Sequence, residues 1–331
     1  MNSMKDARLN GDGLVLADRY AETMRDLVLP SLQKQRKELT IRGYEGKPLA
    51  VSRFDAENPK GTVTIVHGFT SAEGKYSELV FSLLQNGWSV LIYDQRGHGR
   101  SWRDERISDP SLVNVDHFED YVRDLEIVCE QVLAGMPKPY MLFSHSMGGA
   151  VCALFLESHG DVFEKAVFCA PMIAANRGGM PLPAVMALCR IQGLLGRGRQ
   201  RLFLSKPYSG PEAFETSGAS GKERFDWYNE LRDRTPEYHT NGPTYHWTLE
   251  AMNVTAKLLK PGAVERIAIP VRVYSAERDG SVRQEEQQMF AERLKNGTRK
   301  VIAGAKHEIY RSPDVVLFPW WHEILEFYAQ A

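Results

Sequence analysis

The sequence predicts an α/β fold, in which helices flank a doubly wound, mostly parallel sheet and a helical cap is inserted after a strand. Three observations predict it. From Gly61 onward, short apolar runs alternate with longer amphipathic segments; this alternation stops between Pro171 and about Thr244; and a serine stands between a strand-like and a helix-like segment. Such alternation is typical of parallel strands joined by crossover helices, whose functional sites lie at the carboxyl ends of the strands.

Six apolar runs are short enough to be strands buried on both faces. They are residues 62–66, 88–93, 140–143, 165–168, 271–274 and 299–302. Helical periodicity predicts the crossover helices over residues 78–85, 118–132, 150–157, 282–295 and 315–328. Asp116, with Glu119 three positions later, predicts a capping box at the start of the second helix.

The chain divides into three predicted regions. Residues 1–40 form an N-terminal helical arm that Pro30 interrupts, residues 41–172 and 245–331 form the α/β core, and residues 173–244 form the cap. The first part of the cap is apolar, and we expect four of its side chains to bind an acyl chain: Met180, Leu182, Val185 and Met186. An alternative that the sequence favours equally is that this face of the cap packs on the α/β core.

Composition excludes several classes of protein. The 331 residues carry 41 Lys and Arg against 42 Asp and Glu, a formal net charge of -1, so we expect no nucleic-acid partner. The N-terminus lacks the pattern of a signal peptide, and no stretch approaches the ~20 apolar residues of a spanning helix. The four cysteines lack CxxC spacing, and the histidines and cysteines do not cluster as metal ligands. We therefore expect a cytoplasmic protein without metal or cofactor.

The strongest local signal is Ser146, which lies between a predicted strand and a predicted helix and is followed by Met147, Gly148 and Gly149. A serine at such a turn is held with its hydroxyl outside the sheet, and the close approach of the backbone requires small neighbours. The sequence departs from G-x-S-x-G at the first position, where Ser144 replaces glycine. Ser146 is the predicted nucleophile.

A serine hydroxyl needs a base, and the base needs an acid to orient it. Asp279 and His307 each follow a late predicted strand, so both lie at the edge of the sheet where Ser146 is expected. Glu277 is an alternative acid, less well placed in the loop. The tetrahedral intermediate needs two N–H donors, and we expect those of Met147 and Phe69 to form the oxyanion hole.

These motifs resemble a known family. His67-Gly68-Phe69, residues 94–101, residues 144–149, Asp279 and His307-Glu308 occur in this order and resemble the α/β-hydrolases, within them the monoacylglycerol lipases and bacterial lysophospholipases. The resemblance runs from about Gly46 to the C-terminus. Residues 222–226 and 241–247 are similar to the cap and post-cap segments of bacterial inner-membrane lysophospholipases.

The resemblance implies a serine carboxylester hydrolase that cleaves a lysophospholipid or a monoacylglycerol through an acyl-enzyme, without a cofactor. Its partner is then a small amphipathic lipid or ester, and any membrane contact, as at the inner membrane, is peripheral and reversible. Two alternatives stay open: a small-ester carboxylesterase or thioesterase on the same fold, and a non-catalytic α/β-hydrolase that serves as a binding module. The head group, the acyl length, movement of the cap and the oligomeric state are not determined by the sequence.

Overall fold

The computed structural model describes residues 7–203 and 205–330, whose centre is an eight-stranded sheet. The strands are β1 (Arg36–Arg42), β2 (Pro48–Phe54), β3 (Gly61–Val66), β4 (Trp88–Tyr93), β5 (Tyr140–His145), β6 (Lys165–Cys169), β7 (Val271–Ala276) and β8 (Gly297–Ile302). Their order across the sheet is β1-β2-β4-β3-β5-β6-β7-β8. β2 is antiparallel to both β1 and β4, and all other neighbouring pairs are parallel. The predicted mostly parallel sheet is confirmed.

Ten α-helical segments accompany the sheet within the described part of the chain. They are α1 (Tyr20–Thr23), α2 (Leu29–Gln35), α3 (Ser77–Gln85), α4 (Glu119–Gln131), α5 (Met147–Ser158), α6 (Leu182–Leu194), α7 (Lys222–Arg234), α8 (Tyr245–Leu258), α9 (Gln284–Arg293) and α10 (Asp314–Ala329). Helices α6 and α7 lie between β6 and β7, in the region predicted as the cap. The crossover helices predicted from periodicity are α3, α4, α5, α9 and α10.

The six predicted strands are β3 to β8, and the structure extends most of them by one or two residues. Strands β3 to β6 are buried along their whole length, which explains their continuous apolar sequences. Strands β1 and β2 were not predicted. β1 is a charged edge strand with an almost wholly exposed pattern, so neither alternation nor an apolar run identifies it.

The N-terminal arm is helical but differs from its prediction in two respects. Helix α2 ends at Gln35, because the chain enters β1 at Arg36. Pro30 does not interrupt the arm: a π-helical turn over Met24–Val28 joins α1 to α2, and Pro30 occupies the first turn of α2, where its missing N–H is tolerated. Residues 1–6 of the predicted arm lie outside the described residues.

The two faces of the sheet bury separate apolar clusters. One cluster combines the sheet with α4, α5, α8 and α9, including Phe118, Phe155 and Trp247. The other cluster combines it with the arm, α3 and α10, including Tyr20 and Trp321. Helices therefore cover both faces, as a doubly wound sheet requires.

The predicted capping box at α4 is wrong. Asp116 accepts hydrogen bonds from Arg106 and Arg199, at 2.8 Å from an Nη2 atom of each, and makes no cap to the helix. The N–H of Phe118 donates to Glu250 Oε2 at 2.9 Å. A carboxylate of a distant helix thus replaces the local cap, because two arginines hold Asp116 elsewhere.

Candidate active site

Ser146 lies at a strained turn between β5 and α5. Its backbone has φ +51° and ψ −119°, a conformation that non-glycine residues rarely adopt. Its N–H donates to the Cys169 carbonyl at 3.1 Å, and its carbonyl accepts from the N–H groups of Gly149 and Met172 at 2.8 Å each. These backbone bonds maintain the strained conformation, as the predicted turn requires.

Small residues surround the turn for steric reasons. A Cβ atom on Gly68 would lie 2.9 Å from Ser146 Cβ, and one on Gly148 would lie 2.2 Å from the Val66 carbonyl oxygen. Ser144, which replaces glycine at the first motif position, is fully buried, and its hydroxyl donates to the Val167 carbonyl at 3.3 Å. The substitution is therefore accommodated by a neighbouring strand.

The structure brings Ser146, Asp279 and His307 together. His307 Nε2 lies 2.9 Å from Ser146 Oγ, and His307 Nδ1 lies 2.8 Å from Asp279 Oδ2. The other oxygen of Asp279 accepts from the N–H groups of Ser281 and Val282 at 2.8 and 3.1 Å. Because Asp279 faces Nδ1, that nitrogen carries the proton, and Nε2 is free to accept one from the serine hydroxyl.

Glu277, the alternative acid, lies elsewhere in the same loop. Its Oε2 atom accepts from the N–H of Gly304 at 2.8 Å and is exposed. The side chain of Asp279, in contrast, is fully buried. The histidine contact therefore favours Asp279.

His145, next to the predicted nucleophile Ser146, contacts the backbone of His307, the predicted base. Tyr310 donates to Tyr76 at 3.4 Å, Tyr76 donates to His145 Nδ1 at 3.4 Å, and His145 Nε2 donates to the carbonyl of His307 at 3.3 Å. Burial, together with the neighbouring His307, holds the pKa of His145 well below its usual value. His145 is thus neutral, as this chain of donors requires. No pattern in the sequence predicted the two tyrosines.

The loop that carries Phe69 is rigid. His67 Nδ1 donates to the Gly68 carbonyl at 2.8 Å, and His67 Nε2 accepts from the N–H of Gln95 at 2.9 Å. Burial lowers the pKa of His67 to about 4, so the ring is neutral and both bonds persist at pH 7. The N–H of Met147 is the first of α5 and has no acceptor within that helix. The oxyanion roles of Phe69 and Met147 stay predictions.

A buried ion cluster lies next to His307, the predicted base. The Glu308 carboxylate pairs with Lys75 Nζ at 2.5 Å and with Arg311. Although burial opposes it, Arg311 and Lys75 hold the pKa of Glu308 far below its usual value. The N–H of Glu308 also donates to the carbonyl of Gly218, which precedes α7, at 2.8 Å. The Lys75–Glu308 pair thus connects the segment after the Phe69 loop with the loop that carries His307. The hydrogen bond to Gly218 connects that loop with the chain before α7.

The four predicted acyl-binding residues lie on one apolar cluster of the cap. Val185 is buried there with Cys189, Tyr245 and Met252, and the other three are partly buried: Met180, Leu182 and Met186. This face of α6 packs on α8, as the packing alternative requires. Contact of the four side chains with substrate stays a prediction.

The described residues contain no group of three or more His, Cys, Asp or Glu side chains placed to hold a metal ion. Across the same residues, every helix is too short or too polar to cross a bilayer.

Comparison with known proteins identifies the family. The family model described as Serine aminopeptidase, S33 (Hydrolase_4) matches residues 57–314. Lysophospholipase L2 of Escherichia coli (strain K12) is 30% identical over 320 residues, which cover 91% of this chain and 89% of that protein. Monoglyceride lipase of Mus musculus is 24% identical over 270 residues, covering 80% and 81%.

Solved structures share the architecture. A soluble variant of monoglyceride lipase from Saccharomyces cerevisiae, in complex with a substrate analog, superposes with a TM-score of 0.68 at 17% identity, covering 88% of this chain and 94% of that one. Monoacylglycerol lipase of Paleococcus ferrophilus gives a TM-score of 0.65 at 22% identity, covering 84% and 97%. The strand order, the strained serine turn and the family match agree, so the chain belongs to the serine aminopeptidase S33 family and has the α/β-hydrolase fold.

Proposed function

We propose that this protein is a serine carboxylester hydrolase that cleaves single-acyl lipids, either lysophospholipids or monoacylglycerols. The observation that carries the proposal is the continuous chain of hydrogen bonds from Ser146 Oγ through His307 to the buried Asp279. Such a chain lets a hydroxyl lose its proton while it attacks a carbonyl carbon.

The geometry supports a two-step reaction. Ser146 Oγ attacks the ester carbonyl, and His307 Nε2 takes the proton while Asp279 stabilises the imidazolium. The N–H groups of Phe69 and Met147 are the proposed donors to the oxyanion. His307 then protonates the departing alcohol and leaves an acyl-enzyme. A water molecule, deprotonated by His307, then attacks the acyl carbon, and His307 gives the proton back to Ser146 Oγ as the bond to the acyl group breaks and the fatty acid leaves.

The lipid substrate is supported by the relatives and by the apolar cap. The names of the matched proteins state lysophospholipase and monoglyceride lipase activities, and the α6 face carries the apolar side chains predicted to bind an acyl chain. Each methylene transferred from water contributes about 0.8 kcal/mol. If the acyl chain is buried, kcat/KM rises by up to about 15-fold for every two methylenes that leave water.

Turnover of p-nitrophenyl esters from C2 to C16, followed by lysophosphatidylcholine against a monoacylglycerol, tests the substrate class. We expect a maximum at C10 or longer. A maximum at C2 to C4 would instead identify a small-ester carboxylesterase. Labelling by a fluorophosphonate separates both from the binding module, because only an activated serine reacts.

We further propose that the far end of α6 makes peripheral contact with anionic lipid, as at an inner membrane. Leu194 and Leu195 are 88% and 61% exposed, and Ile191 is 52% exposed. Two exposed arginines, Arg190 and Arg197, flank this tip in the sequence, and residues 165–211 contain no Asp or Glu. An apolar tip on a cationic segment fits a negatively charged lipid surface.

Sedimentation with vesicles tests this contact. We expect the protein to bind vesicles that contain 30% phosphatidylglycerol and to bind phosphatidylcholine alone less tightly. The double variant Leu194→Asp/Leu195→Asp removes the apolar tip, so it is expected to lose binding and to keep hydrolysis of a soluble short-chain ester. Equal binding of the variant and the wild type would refute the proposal.

A further inference from the structure

Trp247 contacts the loop that carries the proposed oxyanion donor. The indole ring lies over the ring of Phe69, with the centroids 4.0 Å apart and the planes inclined by 38°. Trp247 is itself buried and belongs to the first turn of α8, the helix that follows the cap region. It therefore joins an element adjacent to the cap to the residue whose N–H is proposed to bind the oxyanion.

Phe69 is held from two sides. Trp247 covers its ring, and the ring of His98 meets it edge to face at 5.7 Å. The next residue, Thr70, has φ +56°, a conformation that is costly for a residue with a branched side chain. A strained backbone of this kind persists only where its surroundings hold it. The ring contacts on Phe69 are part of that restraint.

Trp247 is fixed independently of Phe69. The Thr244 hydroxyl accepts from the Trp247 N–H at 3.0 Å and donates to Asn114 Oδ1 at 2.8 Å. The indole Nε1–H donates to the Tyr121 hydroxyl at 3.1 Å. A side chain fixed at both its backbone and its ring nitrogen can act as a rigid support for the ring beside it.

We infer that Trp247 is a positioning residue for the oxyanion hole. If the proposed function is right, the Trp247 indole holds the Phe69 ring so that the Phe69 N–H points at the developing oxyanion. Helix α8 also packs against α6 through Tyr245 and Met252.

The test replaces the indole with side chains of graded shape. Trp247→Met removes the flat ring but fills much of its space, and Trp247→Phe keeps a smaller ring without the N–H. Loss of an oxyanion donor lowers kcat by about 10²–10³-fold, so a misaligned donor is expected to lower kcat by about tenfold in Trp247→Met and about threefold in Trp247→Phe. KM is expected to change less than twofold.

Two further variants separate the contributions. Tyr121→Phe removes the acceptor that fixes the indole N–H, so it is expected to lower kcat, but by less than Trp247→Met. Trp88→Met alters another buried tryptophan, which lies at the amino end of β4 against Tyr328, with ring centroids 6.0 Å apart. It is expected to lower the unfolding temperature without lowering kcat in the folded protein.

Affinity for an alkyl boronic acid separates positioning from general damage, because its tetrahedral adduct with a serine needs the same donors. We expect this affinity to fall in parallel with kcat/KM across the Trp247 variants. A wild-type kcat in Trp247→Met refutes the inference, as does an equal loss of kcat in Trp88→Met. If Trp247→Met does not fold, an unchanged kcat in Trp247→Phe refutes the inference instead. If the wild-type protein neither hydrolyses esters nor reacts with a fluorophosphonate, the proposed function itself fails.

Discussion

The substitution Asp279→Asn is expected to disable the base while leaving the fold intact. In the structure, one carboxylate oxygen accepts from the N–H groups of Ser281 and Val282, and the other faces His307 Nδ1 at 2.8 Å. An asparagine must direct its oxygen to the two N–H donors, so its NH₂ group faces Nδ1. The imidazole then carries its proton on Nε2 and cannot accept one from Ser146.

The loss follows from this change of tautomer. A wrong tautomer in a serine triad lowers kcat by about 10⁴-fold, which corresponds to about 5 kcal/mol at 1.36 kcal/mol for each factor of ten. The assay is kcat for a p-nitrophenyl ester at pH 7 to 8, with thermal unfolding to verify folding. Glu277→Gln is the matched control, because among the described residues its exposed carboxylate accepts only from the N–H of Gly304. It is expected to stay within about threefold of wild type. A larger loss in Glu277→Gln than in Asp279→Asn would refute the assignment of the acid.

Three further predictions concern the nucleophile, the ion cluster and pH. Ser146→Ala is expected to lower ester hydrolysis by at least about 10⁴-fold and to abolish fluorophosphonate labelling at an unchanged unfolding temperature; residual labelling would identify another nucleophile. Glu308→Gln leaves Lys75 and Arg311 with an uncompensated buried charge, so it is expected to cost about 3–5 kcal/mol of stability in urea unfolding, and a cost below 1 kcal/mol would contradict the pairing. His67 is neutral in the folded state because burial lowers its pKa to about 4, whereas an unfolded histidine titrates near 6.5. Its contribution to the free energy of unfolding is therefore present above about pH 6.5, and about 3 kcal/mol of it is lost as the pH falls towards 4. Urea unfolding at pH 7 and pH 4 measures this loss, which is expected to be smaller in His67→Gln. Equal losses in the variant and the wild type would contradict the assignment to His67.

Burial explains why four strands were predicted and why one was missed. Strands β3 to β6 are covered on both faces, so their apolar runs are visible in the sequence. The edge strand β1 is mostly exposed and charged, and its pairing with β2 depends on backbone bonds that any side chain permits. Burial does not explain every strand: β8, the other edge strand, was predicted although three of its six residues are exposed, and β2 was missed although four of its seven residues are buried.

The sequence alone determined the mostly parallel sheet, the proposed order of nucleophile, acid and base along the chain, and the resemblance to the α/β-hydrolases. These features depend on local patterns: apolar runs, a strand-to-helix turn at Ser146, and polar residues placed just after strands. Only the tertiary structure decided which groups surround them. It paired Lys75 with Glu308, 233 positions along the chain, and laid Trp247 over Phe69. Such contacts arise when distant elements pack on one sheet. The sequence around either partner does not predict which residue it will contact.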